Sequence, residues 1–257
     1  MKGQLFLLKE LVRRDLQSRY VGSMFGFLWS FAQPLWQLLL FTLVFSVFLK
    51  FPLPEEEITT DFGIFLFSGL LPWMAIQEGV TRASTAIVDN AAVVKKAKLP
   101  LRILVMTPMV SALIHEAIAA AVFVVILAAQ GLLGWRGLPI LLLALPLQLA
   151  MTVGLGFLLC SAHTFFRDIA QVVNMVMMGW FYVTPIVFSL LFVGEKIANI
   201  LLWNPLTPLV DLYRHALLGD GWVWVEGTPW LIVFSCGVFV VGWWLFGRLE
   251  GIFVDQV

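Results

Sequence analysis

Charge is scarce in this chain. Asp, Glu, Lys and Arg make up 12% of its 257 residues, against roughly 25% in soluble proteins, while hydrophobic types reach 61%. So few charges cannot wet the surface of a soluble domain, so lipid is the main solvent and the chain is an integral membrane protein. Acidic and basic residues are equal at 16 each, which leaves no bulk basicity to attract nucleic acid. Cysteine is almost missing. Cys160 and Cys236 both lie in apolar runs; they cannot build a disulfide framework and read as packing residues.

Signatures of chemistry are missing as well. There is no G-x-x-x-x-G-K-[ST] phosphate loop, so no Walker ATPase is encoded here. His115, His163 and His215 are far apart, and neither H-E-x-x-H nor a paired-Cys metal spacing occurs. His115 and Glu116 are adjacent, so on a helix they point to different faces. A G-x-S-x-G nucleophile elbow is also absent. No catalytic residue, cofactor or metal is expected in this chain. Any energy source must come from a partner or an ion gradient.

What the chain has is apolar helix. A crossing needs roughly 20 mostly apolar residues, and six segments qualify: 29–49, 62–81, 103–129, 138–161, 172–193 and 230–247. Residues 194–229 are too apolar for a free loop, yet Asn204, Pro205, Pro208, Asp211, Arg214 and His215 interrupt them. Proline removes helical hydrogen bonds that lipid cannot replace. The pattern therefore predicts two short re-entrant helices, 195–203 and 206–218, dipping into the outer interface; a seventh span is the competing reading. Pro72, Pro108, Pro146 and Pro185 are expected to bend the spans. Before the first span, Leu5, Leu8, Val12 and Leu16 recur at steps of three and four, with Lys9, Arg13 and Gln17 on another face. That pattern predicts an amphipathic interfacial helix over 4–20. The first 28 residues hold no long uninterrupted apolar core, so no cleavable signal is expected there. The fold class is thus all-α, with six transmembrane helices.

The scarce basic residues are sorted by side. Lys2, Lys9, Arg13, Arg14, Arg19, Arg82, Lys95, Lys96, Lys98, Arg102, Arg167 and Arg248 fall on one side, and only Lys50, Arg136, Lys196 and Arg214 on the other. Basic residues collect in the cytoplasm, so both termini are predicted there. Trp135, Trp203, Trp222, Trp224 and Trp230 fall near the outer surface, at headgroup level. Glu78, His115 and Glu116 lie inside spans. An ionised group at mid-membrane costs about 2.5–3.5 kcal/mol, so each must face protein or water. A proton relay is one reading; hydrogen bonding across helices, or pairing near the cytoplasmic end, is the preferred one.

Four strings stand out. Residues 19–36 read RYVGSMFGFLWSFAQPLW, where Gly22, Ser23 and Gly26 permit a bend between the interfacial helix and the first span. Residues 90–102 read NAAVVKKAKLPLR, and residues 165–169 read FFRDI. Asp168 could cap the fifth span, with Arg167 as a helix stop. Residues 204–214 read NPLTPLVDLYR. Each has a plain structural reading: an elbow, a positively charged inner loop, a helix boundary and a proline-broken turn.

Together, in this order, they resemble the polysaccharide-exporting ABC-2-type transporter permeases of O-antigen, capsular polysaccharide and teichoic acid. Arg19, Tyr20, Gly22, Ser23, Gly26, Trp29, Pro34 and Leu35 match the family's R-Y-x-G-S-x-x-G-x-x-W-x-x-x-x-P-L string, and Asn90, Lys95, Lys96 and Pro100 match its N-x-x-L-I-K-K-x-x-x-P-R-E string. Val93-Val94 and the intruding Leu101 depart from it. The resemblance implies a bacterial inner-membrane subunit that pairs with a second copy of itself and two ATP-binding cassette subunits, which bind the ATP and Mg. It implies a coupling helix over 83–94 that docks on the ATPase through Ala83, Ala86, Ile87, Asn90, Lys95 and Lys96. The expected cargo is a lipid-linked polysaccharide whose anchor phosphates are steered by Arg13, Arg14 and Arg19. Trp29, Phe31, Trp36, Trp73, Trp180, Phe181 and Tyr182 are the candidates for lining its conduit, since sugar C–H faces pack on aromatic rings. Arg167 and Asp168 form a cytoplasmic structural motif, and Asn204, Pro205, Pro208, Tyr213 and Arg214 the outer gate. An exporter of a small drug or lipid, and an intramembrane enzyme acting on lipid-linked sugars, are the alternatives.

Overall fold

The computed structural model describes residues 2–19, 23, 25–50, 52–96 and 99–256. Tyr20 and Gly22 of the first motif lie outside these, as does the side chain of Lys96. Among the described residues every regular element is helical. Helix α1 is Lys2–Ser18 and α2 is Trp29–Phe41, which continues as a π-helical segment, Thr42–Phe48. Helix α3 is Phe62–Asp89, α4 Ala91–Lys96, α5 Leu101–Gln130 and α6 Leu141–Phe165. Helix α7 is Ile169–Val183, α8 Glu195–Leu201, α9 Leu206–Leu218 and α10 Thr228–Gln256. Among the described residues, five stretches, Trp29–Phe48, Phe62–Asp89, Leu101–Gln130, Leu138–Phe165 and Thr228–Phe253, are long and apolar enough to cross a membrane.

The termini of these helices follow from local chemistry. Asp61 precedes α3 and accepts hydrogen bonds from the backbone N–H of Gly63 at 2.7 Å and Ile64 at 3.2 Å, which satisfies donors that have no partner inside the helix. Gly131 ends α5 in the left-handed region, with φ 71°, a conformation that costs glycine little. Asp168 occupies the residue before α7, but its side chain makes no capping hydrogen bond. Its contribution is therefore limited to a negative charge beside the helix N-terminus. Arg167 donates to the backbone carbonyl of Gln256 at 3.3 Å and ties this boundary to the end of α10.

Two expectations need correction. The predicted span over 172–193 is not helical throughout. Helix α7 stops at Val183 after 15 residues, about 22 Å at 1.5 Å per residue, because Pro185 follows. The ring of a proline excludes the helical region for the residue before it, and Thr184 is extended, with φ −89° and ψ 137°. Pro185 thus ends its helix rather than bending it, unlike Pro72, Pro108 and Pro146, which lie within α3, α5 and α6. The predicted single helix over 83–94 is also divided. Helix α3 runs on to Asp89 and α4 restarts after Asn90, whose side-chain amide donates to the Ala86 carbonyl at 2.8 Å.

Packing is uneven in a way that positions the site. Helix α3 is the spine: 83% of its apolar stretch is buried within the chain, against 11% for Trp29–Phe48. It packs on α5, α6 and α9, while α10 lies along α6 and α1 along α5. The α6–α10 crossing depends on absent side chains. A Cβ on Gly154 would sit 2.5 Å from the Val238 carbonyl carbon, and one on Gly242 would sit 2.3 Å from the Gly154 carbonyl oxygen. Small residues at such crossings let backbones meet. Gly154→Leu is expected to force α10 off α6 and to cost about 1–3 kcal/mol or more. Thermal unfolding in detergent checks this, with a clear fall in midpoint expected there and none for the open position Gly179→Leu.

Candidate functional site

The C-terminal end of α1 meets α3 and α5 in a cluster of charges. Asp15 and Arg19 sit one turn apart on α1 and the turn after it, and Glu78 and Arg82 one turn apart on α3. The Arg82 guanidinium donates to both oxygens of Asp15, at 2.5 and 3.1 Å, and to Glu78 at 3.3 Å. Arg19 pairs with Asp15 at 3.6 Å and with Glu78. Its remaining nitrogen donates to His115 Nδ1 on α5 at 2.7 Å, which leaves the ring proton on Nε2. Positive and negative groups therefore alternate. Burial works against ionising Asp15, but the hydrogen bonds and charge of Arg82 and the charge of Arg19 outweigh it and hold its carboxyl below the ordinary value.

One residue further along α5, Glu116 faces the other way. It accepts from the Gln148 amide of α6 at 2.6 Å and from the Tyr213 hydroxyl of α9 at 2.6 Å, and Tyr213 also touches the Gln148 carbonyl oxygen. All three are buried. His115 and Glu116 thus meet different elements, as their adjacency implies. A cavity of about 330 Å³ separates α2 from this wall, bounded by Arg19, Gln33, Pro34, Glu78, His115 and Glu116.

Several predicted site residues occupy places that change their roles. Ala83 and Ile87 are fully buried and Ala86 nearly so, packed with Met109, Cys160, Phe246 and Phe253. They are core and leave no face for a partner. Lys95 and Val93 on α4 are exposed instead, while Asn90 makes the break before them. Arg19 is not a free anion receiver, since two carboxylates and His115 engage it; Arg13 and Arg14 are exposed. Trp73 is 3% exposed and packs against Trp180 and Phe181, so it lines nothing. Trp29, Phe31 and Trp36 on α2, and Tyr182 on α7, are exposed, with Trp180 and Phe181 half-buried.

The outer-gate residues are likewise internal. Pro205, Pro208, Tyr213 and Arg214 are buried. Arg214 donates to the carbonyls of Pro185 at 2.8 Å and Ile186 at 3.2 Å, pairs with Asp211 at 3.2 Å and lies 3.6 Å from the Phe65 ring centre. Asn204 joins three elements: its carbonyl oxygen accepts from Trp180 Nε1 at 2.8 Å and from the backbone of Leu206 at 3.1 Å, and its amide donates to Thr184 at 2.9 Å. These residues hold α9 in place. Asp15, Gln148 and the pair Glu57–Ser189 were missed from sequence, although the four-residue spacings Asp15–Arg19 and Glu78–Arg82 carry a signal that points to the cluster.

A profile described as ABC-2 type transporter matches residues 7–218. The chain belongs to the ABC-2 type transporter family. That stretch runs from the ion-pair helix α1 through α9 and contains every residue of both polar sites. Among ABC-2 relatives, an O-antigen export system permease protein of Klebsiella pneumoniae is 27% identical over 98% of this chain and 96% of its own length. One from Myxococcus xanthus is 30% identical over 81% and 78%. The polysialic acid transport protein of Escherichia coli is 22% identical over 96% and 95%. These relatives are permeases and transport proteins, so membership decides for a transport subunit over an intramembrane enzyme.

Asp15→Asn is expected to loosen α1. The sign follows from the lowered carboxyl: its contribution is complete above the ordinary value near 3.8 and is lost only as pH falls through the lower folded value. Trypsin cleavage at Arg13 and Arg14 should therefore be slow in the unaltered protein at any neutral or mildly acidic pH. In Asp15→Asn it should be several-fold faster throughout.

Proposed function

We propose that the chain is the membrane permease of an exporter that moves a lipid-linked polysaccharide, of O-antigen, capsular or teichoic-acid type, across the bacterial inner membrane. The observation that carries this is the pair of aromatic surfaces on α2 and α7 that the chain does not cover itself, in a protein whose relatives are named for O-antigen and polysialic acid. Trp29, Phe31, Trp36 and Tyr182 are exposed, and weak, repeated ring contacts suit a sliding polymer better than one tight site.

In this reading α7 is a short fifth crossing, α8 and α9 form the outer re-entrant pair, and both termini are cytoplasmic. Two copies face each other across α2 and α7. The marginal burial of α2 within its own chain supports a second copy there. Two ATP-binding subunits, carrying the ATP and Mg, dock on the exposed tip formed by α4 rather than on Ala83, Ala86 and Ile87. Their closure pushes α4 and α3. Because Arg82 holds Asp15, α1 follows, and α2 swings with it to open the path. Arg13 and Arg14 remain free to meet anchor phosphates and acidic headgroups.

Deleting the gene and locating the polymer tests this. Accumulation inside the cell, with none at the surface, is expected. Loss of polymer synthesis, or unchanged surface polymer, contradicts it. In the complemented strain, Arg13→Gln with Arg14→Gln should slow export while the subunit remains assembled in the membrane.

A further inference from the structure

The two polar sites are separated by a single peptide bond. His115 takes a hydrogen bond from Arg19, and Glu116 holds Tyr213 and Gln148. Successive residues on a helix point about 100° apart, so α5 touches the interfacial helix with one side chain and α9 with the next. We propose that this dipeptide makes α5 a lever: displacement of α1 reaches α9 through His115 and Glu116, with Gln148 and Tyr213 as positioning residues that clamp α9 to the lever.

Three features carry the inference. First, the contacts form one uninterrupted chain of partners, from Asp15 and Arg82 through Arg19, His115, Glu116 and Tyr213. Second, the far end cannot slip. Glu116, Gln148 and Tyr213 are buried, and away from water a broken polar contact finds no replacement partner. Third, α9 passes displacement on, because Arg214 one residue after Tyr213 grips the carbonyls of Pro185 and Ile186 beyond α7. Both ends border open space. Arg19 retains 20% exposure and its cluster lines a cavity, so α1 has room to move. A second cavity of about 570 Å³ lies beside Glu116, Tyr213 and Leu217, so α9 has room to receive that displacement. Motion imposed at the inner interface would therefore emerge at the outer helix.

The lever rests on the export reading only in assuming that α1 moves during work; the coupling itself belongs to this chain alone. Spatial intermediacy is not coupling, so the test measures coupling directly. The full chain carrying Cys236→Ala and Asp220→Cys is placed in lipid nanodiscs, where both faces are open to a maleimide reagent. Asp220 is exposed just beyond α9, and the buried Cys160 reports folding by staying unreactive. Arg19→Gln is expected to change the labelling rate of the thiol introduced by D220C by about fivefold, the lower end of inter-site coupling. With Tyr213→Phe or Glu116→Leu, the same Arg19→Gln change should leave the rate unaltered. Glu116→Gln keeps an acceptor for Tyr213 and should preserve the effect.

Equal effects of Arg19→Gln with and without Tyr213→Phe overturn the lever, as does no effect in the unaltered background. Loss of the effect in Glu116→Gln also overturns it, since that result requires a titrating carboxyl rather than a clamp. No ATPase or polymer is present in this assay. Failure here is therefore distinct from failure of the export reading, which the gene deletion reports.

Discussion

The pairing of Asp15 with Arg82 is the contact on which the rest of the structure turns. A charge near the membrane interior is costly alone, yet here two carboxylates and two guanidiniums alternate, so each charge is met by opposite charges. The arrangement joins three segments distant in sequence: the N-terminal helix α1, the spine α3 and the long helix α5. An amphipathic helix held only by its apolar face would be free to slide in the interface. With a bidentate guanidinium across it, α1 has one registered position.

From that fixed corner the other properties follow in order. The spine α3 is buried along most of its length and is followed by α4 at its C-terminal end. Its central place leaves α2 and α7 at the periphery, with aromatic surfaces turned outward. Lipid or a second copy of the chain must cover those surfaces. At the opposite end, α9 is secured to neighbours by Asn204, Tyr213 and Arg214. The molecule is therefore closely packed along α3 and loosely packed along the α2 flank.

Much of this could be read from residue order. Apolar runs located the long helices, and the period of Leu5, Leu8, Val12 and Leu16 located α1, because both signals depend on local periodicity alone. Pro205 marks the break between α8 and α9, whereas Pro208 lies within the first turn of α9. What could not be read is which neighbour a given face meets. Ala83, Ala86 and Ile87 form an apolar face that fits a partner cleft and the chain's own core equally well, and the core took it. Trp73 is chemically as suited to a conduit as Trp36, but it lies on the spine and Trp36 on the flank. Arg19 looked like an anion receiver because Asp15 and Glu78 are remote from each other in sequence. Pro185 was read as a bend, whereas the extended backbone at Thr184 makes it an end.

Because Asp15 and Arg82 hold them together, α1 and the C-terminal end of α3 are expected to move as one body. Pulsed electron paramagnetic resonance between spin labels at Gln17 on α1 and Ala92 on α4, both exposed, tests it most directly in the transporter assembled with its ATPase. The distance within each subunit is predicted to be narrow and identical without nucleotide and with ATP trapped, broadening only when Arg82→Gln removes the contact. A distance that shifts between the two nucleotide states with Asp15 and Arg82 intact would contradict the account.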